Sequence, residues 1–235
     1  MKTVAVFDID GTLLKGNIYL TIVKYVYLHK IVSKFLHPKT SNYSTHFSDK
    51  IKLKTVLKSF QLILFHRLNL PLKFEYLKTH LLGFVQGWTV DKFQNAFQQF
   101  FQNHLKSRVF PQMREQVRKH KAEGKTIVFL TTQPTEIAEV VKNDLGADYC
   151  ISTTLETNNN HYTGNIKDIC FGAEKLVLLN KFLKQHSIDL KNSFSYADSF
   201  SDIDVLKAVG NPVVVNPDGK LKKFAQKNNW KILNY

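Results

Sequence analysis

An α/β fold, a doubly wound parallel sheet interrupted by an inserted all-helical domain, is what three features of the 235-residue sequence predict. The run Val4-Ala-Val-Phe7 is short, wholly apolar and broken off by Gly11 and Thr12, which reads as a strand buried on both faces. From Pro111 onward such runs alternate with helical periodicity, and that alternation builds a parallel sheet with right-handed crossovers. Between the two lies a stretch of about 90 residues with no convincing strand signal. Residues 1–15 and 111–235 are therefore read as the core domain, and 16–110 as a helical insert.

In the insert, Ile18, Leu20, Ile22, Val23, Val26, Tyr27 and Ile31 suit one broad apolar helix face. A polar, turn-rich break over 38–48 precedes helices expected over 49–68, 72–85 and 90–106, with Pro71, Gly83 and Gly87 as punctuation. Trp88, Phe93, Phe97, Phe100 and Phe101 fall at helical spacing and read as core rather than as a base-stacking platform. After Pro111 come a helix over 112–122 stopped by Gly124, a strand over 126–130 and a helix over 134–143 closed by Gly146. A short strand over 149–151 and a hairpin with its turn near 158–160 follow, then a helix over 172–186 and a strand over 194–197. A helix from Asp202, a strand over 213–215, a helix from Asp218 and a strand near 230–232 end the chain.

Composition narrows the class. With 43% apolar and 22% charged residues and no repeat or low-complexity tract, solenoids and disordered tails are excluded. The first residues run straight into a strand without a signal-peptide core, and the apolar-rich segment 60–72 carries His66, Arg67 and Asn69, so a cytoplasmic protein without a membrane span is expected. Cys150 and Cys170 read as free thiols in a reducing compartment. None of the nine histidines pairs at zinc-ligand spacing. The net charge of +14 is concentrated in the insert, where fourteen Lys and Arg face only Asp49, Glu75 and Asp91. Basic charge alone gives salt-sensitive, sequence-independent binding, and no nucleic-acid motif accompanies it, so nucleic acid is not the expected partner.

In doubly wound sheets ligands bind beyond the carboxyl ends of the strands. The first strand delivers Asp8 and Asp10, which at i and i+2 share a direction, and two carboxylates held that close need a cation or a proton. Mg²⁺, with its preference for hard oxygens shared with a phosphate, is the economical answer. The strand over 126–130 delivers Thr131 and Thr132, and the strand Phe194–Ala197 delivers Asp198 and Asp202.

Four motifs stand in order: Asp8-Ile-Asp10-Gly-Thr-Leu; the apolar strand Ile127-Val-Phe-Leu ending in Thr131; Gly172-Ala-Glu-Lys175; and Ala197-Asp198-Ser-Phe-Ser-Asp202, with Ala197 where Gly is usual. On these the chain resembles the haloacid dehalogenase-like superfamily of phosphatases. The likeness covers 1–15 and 111–235, including Gly164-Asn-Ile and Asn216-Pro-Asp218. The helical insert directly after the first motif resembles the branch containing phosphoserine phosphatase and bacterial phospholipid-head-group phosphatases.

The resemblance implies roles. Asp8 would be the nucleophile that forms an aspartyl-phosphate, and Asp10 the general acid and base. Mg²⁺ would be held by the Asp8 carboxylate, the Asp10 main-chain carbonyl and Asp198, with Asp202 supporting it directly, through water or through Lys175. Thr131, or Thr132 beside it, and the main-chain amides of the turn at Gly11 and Thr12 would bind phosphate oxygens, with Lys175 balancing charge. The substrate would be a small phosphate monoester. In phosphoserine phosphatases a Glu nine residues past the nucleophile meets the substrate amine; Asn17 stands there, which speaks against phosphoserine. The insert, a cap over the site in relatives, is basic and rich in Tyr19, Tyr25, Tyr27, Phe35, Phe60, Leu62, Leu64 and Phe65, which suits a lipid head group at an anionic membrane surface. Phosphotransfer to an acceptor alcohol is the alternative reaction.

Overall fold

The computed structural model describes residues 2–22, 24, 25 and 85–235. The helices expected over 49–68 and, Val85 apart, 72–85 lie outside the described residues, as do the lysines at 50, 52, 54 and 58. The chain divides into two compact units, one of Met1–Gly16, Phe97–Leu155 and Lys167–Tyr235, the other of Asn17–Ala96 and Glu156–Ile166. Residues 97–110 thus group with the sheet, and the tip of its edge hairpin does not.

The strands are β1 (Val4–Phe7), β2 (Thr126–Pro134), β3 (Tyr149–Asn158), β4 (His161–Asp168), β5 (Phe194–Ala197), β6 (Asn211–Val215) and β7 (Lys231–Leu233). The helices are α1 (Val90–Phe100), α2 (Pro111–Ala122), α3 (Thr135–Leu145), α4 (Ala173–His186), α5 (Ile203–Ala208) and α6 (Gly219–Lys227). A single seven-stranded sheet has the order β4-β3-β2-β1-β5-β6-β7. β1 pairs in parallel with β2 on one side and with β5 on the other, so the chain's winding reverses at β1. That reversal opens the crevice where ligands of such sheets lie.

The apolar run of β1 is fully buried because both faces are covered. Val4 and Val6 pack with Leu179 and Leu183 of α4 and Val205 of α5. From the other face Phe7 stacks on Tyr196 at 4.5 Å and meets the His120 ring of α2. α3 ends on Gly146, whose left-handed φ of 73° lets its amide bond the Lys142 carbonyl.

Two expected elements are longer or less regular. The strand expected over 149–151 runs on to Asn158, and Asn159 and Asn160, both at positive φ, turn it into antiparallel β4. The helix expected over 90–106 is α-helical only to Phe100, then a π turn and a 3₁₀ turn. Phe97, Phe101 and Leu105 are wholly buried there, so packing rather than propensity sets the winding.

In the second unit, the Asn17 side chain accepts from the Leu20 amide at 3.0 Å and opens a helical turn over 18–22. Trp88 and Phe93 are buried, and main-chain bonds tie Trp88 and Gly87 to Tyr162 of the hairpin. Among the described residues no helix is long and apolar enough to cross a membrane.

Candidate active site

The Asp8 amide continues the β1–β5 ladder by donating to the Tyr196 carbonyl at 3.0 Å, and the chain then folds back on itself. Leu13 and Leu14 donate to the Ile9 carbonyl, and the Gly11 amide lies 2.9 and 3.0 Å from the Leu14 and Gly16 carbonyls. This knot leaves Asp8 at the strand's carboxyl end, buried.

Gly11 is indispensable in it. Its φ is +72°, and a Cβ at this position would stand 2.0 Å from Oδ2 of Asp198. The Asp198 carboxylate therefore lies against the turn that follows Asp8.

Lys175, in the first turns of α4, is 3% exposed and reaches both neighbouring strand ends. Its Nζ lies 2.7 Å from Asp8 Oδ1 and 2.9 and 3.0 Å from the two oxygens of Asp202. Burial alone would lower the Lys175 pKa, but the Asp8 and Asp202 carboxylates raise it well above the ordinary lysine value. The ammonium is thus held charged. Asp202 spends its carboxylate on Lys175 here.

β2 supplies the third side of the crevice through an irregularity. Its register with β3 shifts between Leu130 and Pro134, so that Thr131, Thr132 and Gln133 arch out of the ladder. Thr131 is buried and Thr132 half-buried. The Thr131 hydroxyl accepts from the Gln133 amide at 3.2 Å, and Gln133 Nε2 donates to Asp10 Oδ2 at 2.5 Å. The Thr12 hydroxyl and Gln133 Oε1 are buried without a hydrogen-bond partner among the described residues.

Electrostatically, four carboxylates crowd one ammonium. Burial, then repulsion by Asp202 and Asp10, pushes Asp8 up to about 7 although Lys175 opposes the shift. Burial, Asp8, Asp202 and Asp10 together push Asp198 up to about 8. The donor set is hard oxygen and short of positive charge, which fits a divalent cation such as Mg²⁺. Among the described residues no three His, Cys, Asp or Glu side chains form a ready-made cage.

Residues 5–207 match the profile of the haloacid dehalogenase-like hydrolases. The chain belongs to this family. Among curated relatives, a probable phosphatase of Mycobacterium tuberculosis is 27% identical over 159 residues, covering 68% of this chain and 55% of its own length. The chain thus spans little more than half of that relative. A histidinol-phosphatase of Neisseria meningitidis is 28% identical over 165 residues, covering 68% of this chain and 74% of its own. A solved Bordetella pertussis protein of unknown function superposes with a TM-score of 0.78 at 20% identity, over 99% of this chain and 98% of its own.

Within this site, Gln133 is the contact that motif reading passes over. It lies in the Thr-Thr-Gln-Pro end of β2, beyond the apolar run, where the register with β3 shifts. The contacts of Asn216 and Asp218 are likewise invisible in the Asn-Pro-Asp sequence alone. Their main-chain and side-chain bonds to the Gly11 and Asp198 loops need the fold.

Proposed function

We propose that this hydrolase is a Mg²⁺-dependent phosphatase that cleaves phosphate monoesters through an aspartyl-phosphate on Asp8. The observation that carries the reading is the Lys175 ammonium held between Asp8 and Asp202 at the point where the sheet's winding reverses. Relatives named as phosphatases support the reaction class.

In the first half-reaction an Asp8 oxygen forms a bond to phosphorus as the bond to the substrate oxygen breaks, and Asp10 hands that oxygen a proton. In the second, Asp10 takes a proton from water as the water oxygen attacks phosphorus, which returns Asp8 and releases inorganic phosphate. Gln133 fixes where the Asp10 carboxylate points, while Lys175 neutralises Asp8 and Asp202. Thr131 and the Thr12 amide hold phosphate oxygens, whereas the Gly11 amide, expected to join them, is committed to the Leu14 and Gly16 carbonyls. Mg²⁺, bound by Asp8, the Asp10 carbonyl and Asp198, would supply the positive charge that four carboxylates and a phosphate require.

The core recognises only phosphate, so the inserted unit, residues 17–96, sets the substrate. Asn17 uses its side chain as a helix cap, and supplies neither the carboxylate nor the free geometry that an amine would need. An organic phosphate other than phosphoserine, lipid-linked in the reading that the basic, aromatic insert favours, is the substrate class.

Purified protein with p-nitrophenyl phosphate and Mg²⁺ tests the reading. Metal-dependent phosphate release is expected, with Asp8→Asn slower by about 10⁴-fold or more while the fold persists. Release without metal, or undiminished release from Asp8→Asn, overturns it. A panel of phosphorylated metabolites and lipids then locates the substrate, and added alcohols reveal any phosphotransfer.

A further inference from the structure

Bonded to the Asp198 main chain stands a residue that the catalytic scheme does not use. Asp218 lies in the turn between β6 and α6, and four of its polar atoms are engaged. Its amide donates to the Asp198 carbonyl at 2.8 Å, and its Oδ2 accepts from the Phe200 amide at 2.7 Å. Its Oδ1 accepts from the Leu221 amide at 2.8 Å as the N-cap of α6, and its carbonyl accepts from Lys222. Two residues earlier Asn216, at a left-handed φ of 44°, lies with its amide nitrogen 3.5 Å from the Gly11 carbonyl. The Asn216-Pro217-Asp218 turn therefore meets both loops that face each other at the site.

Capping explains only half of the Asp218 carboxylate. A serine or asparagine caps a helix as well as aspartate does, with one oxygen. The second oxygen accepts from the Phe200 amide, and with the Asp218 amide bound to the Asp198 carbonyl it ties down the main chain over 198–200. Asp198 has no room to drift toward Gly11, where even a methyl group would collide with Oδ2. The Asp198 carboxylate thus lies against the Gly11 turn, while Asp218 holds the main chain that carries it.

We infer that Asp218 is a positioning residue for Asp198: its second carboxylate oxygen sets the place of the Asp198 carboxylate and hence the affinity of the site for Mg²⁺. The inference rests on the proposed metal role of Asp198. Groups that orient metal ligands from behind contribute on the order of 10- to 100-fold in affinity when removed.

The test is Mg²⁺ titration of the full chain, followed by isothermal calorimetry and by thermal melting, in wild type, Asp218→Ser and Asp218→Ala. Serine keeps the N-cap and loses the bond to Phe200. Expected for Asp218→Ser are a melting temperature close to wild type without metal, a Mg²⁺ dissociation constant raised about tenfold, and a KM for p-nitrophenyl phosphate little changed at saturating Mg²⁺. Asp218→Ala should match it in metal affinity and melt lower, because the cap is lost too. If wild type binds Mg²⁺ and Asp218→Ser binds it equally well, the positioning role is wrong. If wild type itself binds no Mg²⁺, the proposed metal site fails, and the inference falls with it.

Discussion

At the carboxyl end of the sheet Lys175, 3% exposed, keeps its charge between Asp8 and Asp202, whereas under the same strands His120, also 3% exposed, is pushed toward its neutral form. The His120 Nε2 lies 2.7 Å from the Tyr196 hydroxyl, and its ring packs between Phe7 and Phe194. Burial, then Lys125, lowers its pKa, and Glu123 only partly opposes them. Burial likewise raises the Tyr196 phenol above its ordinary value, so both partners settle uncharged. Burial of a titratable group is thus common to both clusters and marks neither as functional. The distinguishing feature is charge retained at a cost, since buried ions are stable only when paired and desolvation offsets much of the attraction. A folded core has no need to hold four carboxylates at one ammonium, and chemistry on a charged substrate does.

The largest way to break this contrast is to remove the one ammonium. Lys175→Met conserves the shape of the side chain and leaves Asp8 and Asp202 buried without compensation. Breaking such a pair is expected to cost about 3–5 kcal/mol, read as the fall in unfolding free energy by urea titration in metal-free buffer at neutral pH. A loss below about 1 kcal/mol would place this cluster in the same class as His120 and Tyr196.

Gln133→Leu sharpens the contrast at the other carboxylate pair. It removes the Nε2 donor from Asp10 without altering bulk much, and it also removes the buried, unpartnered Oε1. Stability should therefore change little, while kcat falls about 10- to 100-fold from misplacement of the acid and base, with KM nearly constant. An unchanged kcat would show that Asp10 is oriented by other means.

Why the carboxylates are legible in the sequence and Gln133 is not has a physical cause. Asp8, Asp198 and Asp202 follow short apolar runs ended by breakers such as Gly11, whereas Lys175 is legible only through the family motif Gly172-Ala-Glu-Lys175. Once the strands are placed, a parallel sheet brings their carboxyl ends together. Gln133 depends instead on the register shift in β2, which is set by pairing with β3 and has no signature in the local sequence. The same limit hid the length of β3, since the polar stretch Ser152-Thr-Thr is held extended by its neighbours rather than by apolar alternation. A helix is expected from Asp218 and α6 starts beside it with Asp218 as its N-cap, but the bond from Phe200 crosses eighteen residues of sequence. Residues 26–84, which carry most of the insert's charge, lie outside the described structure.

The smallest effect concerns the neutral cluster, and its sign follows from the direction of the His120 shift. The folded state binds the proton at lower pH than the unfolded state, whose histidine titrates near the ordinary 6.5. Between those values the unfolded chain carries more protons. The stability contributed by neutral His120 is therefore fully present above the unfolded value, and it is lost as pH falls through 6.5 toward the folded value. His120→Leu removes that titration and keeps an apolar group against Phe7 and Phe194. Urea midpoints at about pH 7.5 and pH 5.5 should then fall further in wild type than in His120→Leu, with the acid-site carboxylates contributing equally to both. Tyr196→Phe adds a check at the higher pH, where loss of the hydroxyl facing Nε2 should cost about 1 kcal/mol. An equal pH response in wild type and His120→Leu would mean that His120 titrates alike in the folded and unfolded chain, and that burial does not neutralise it.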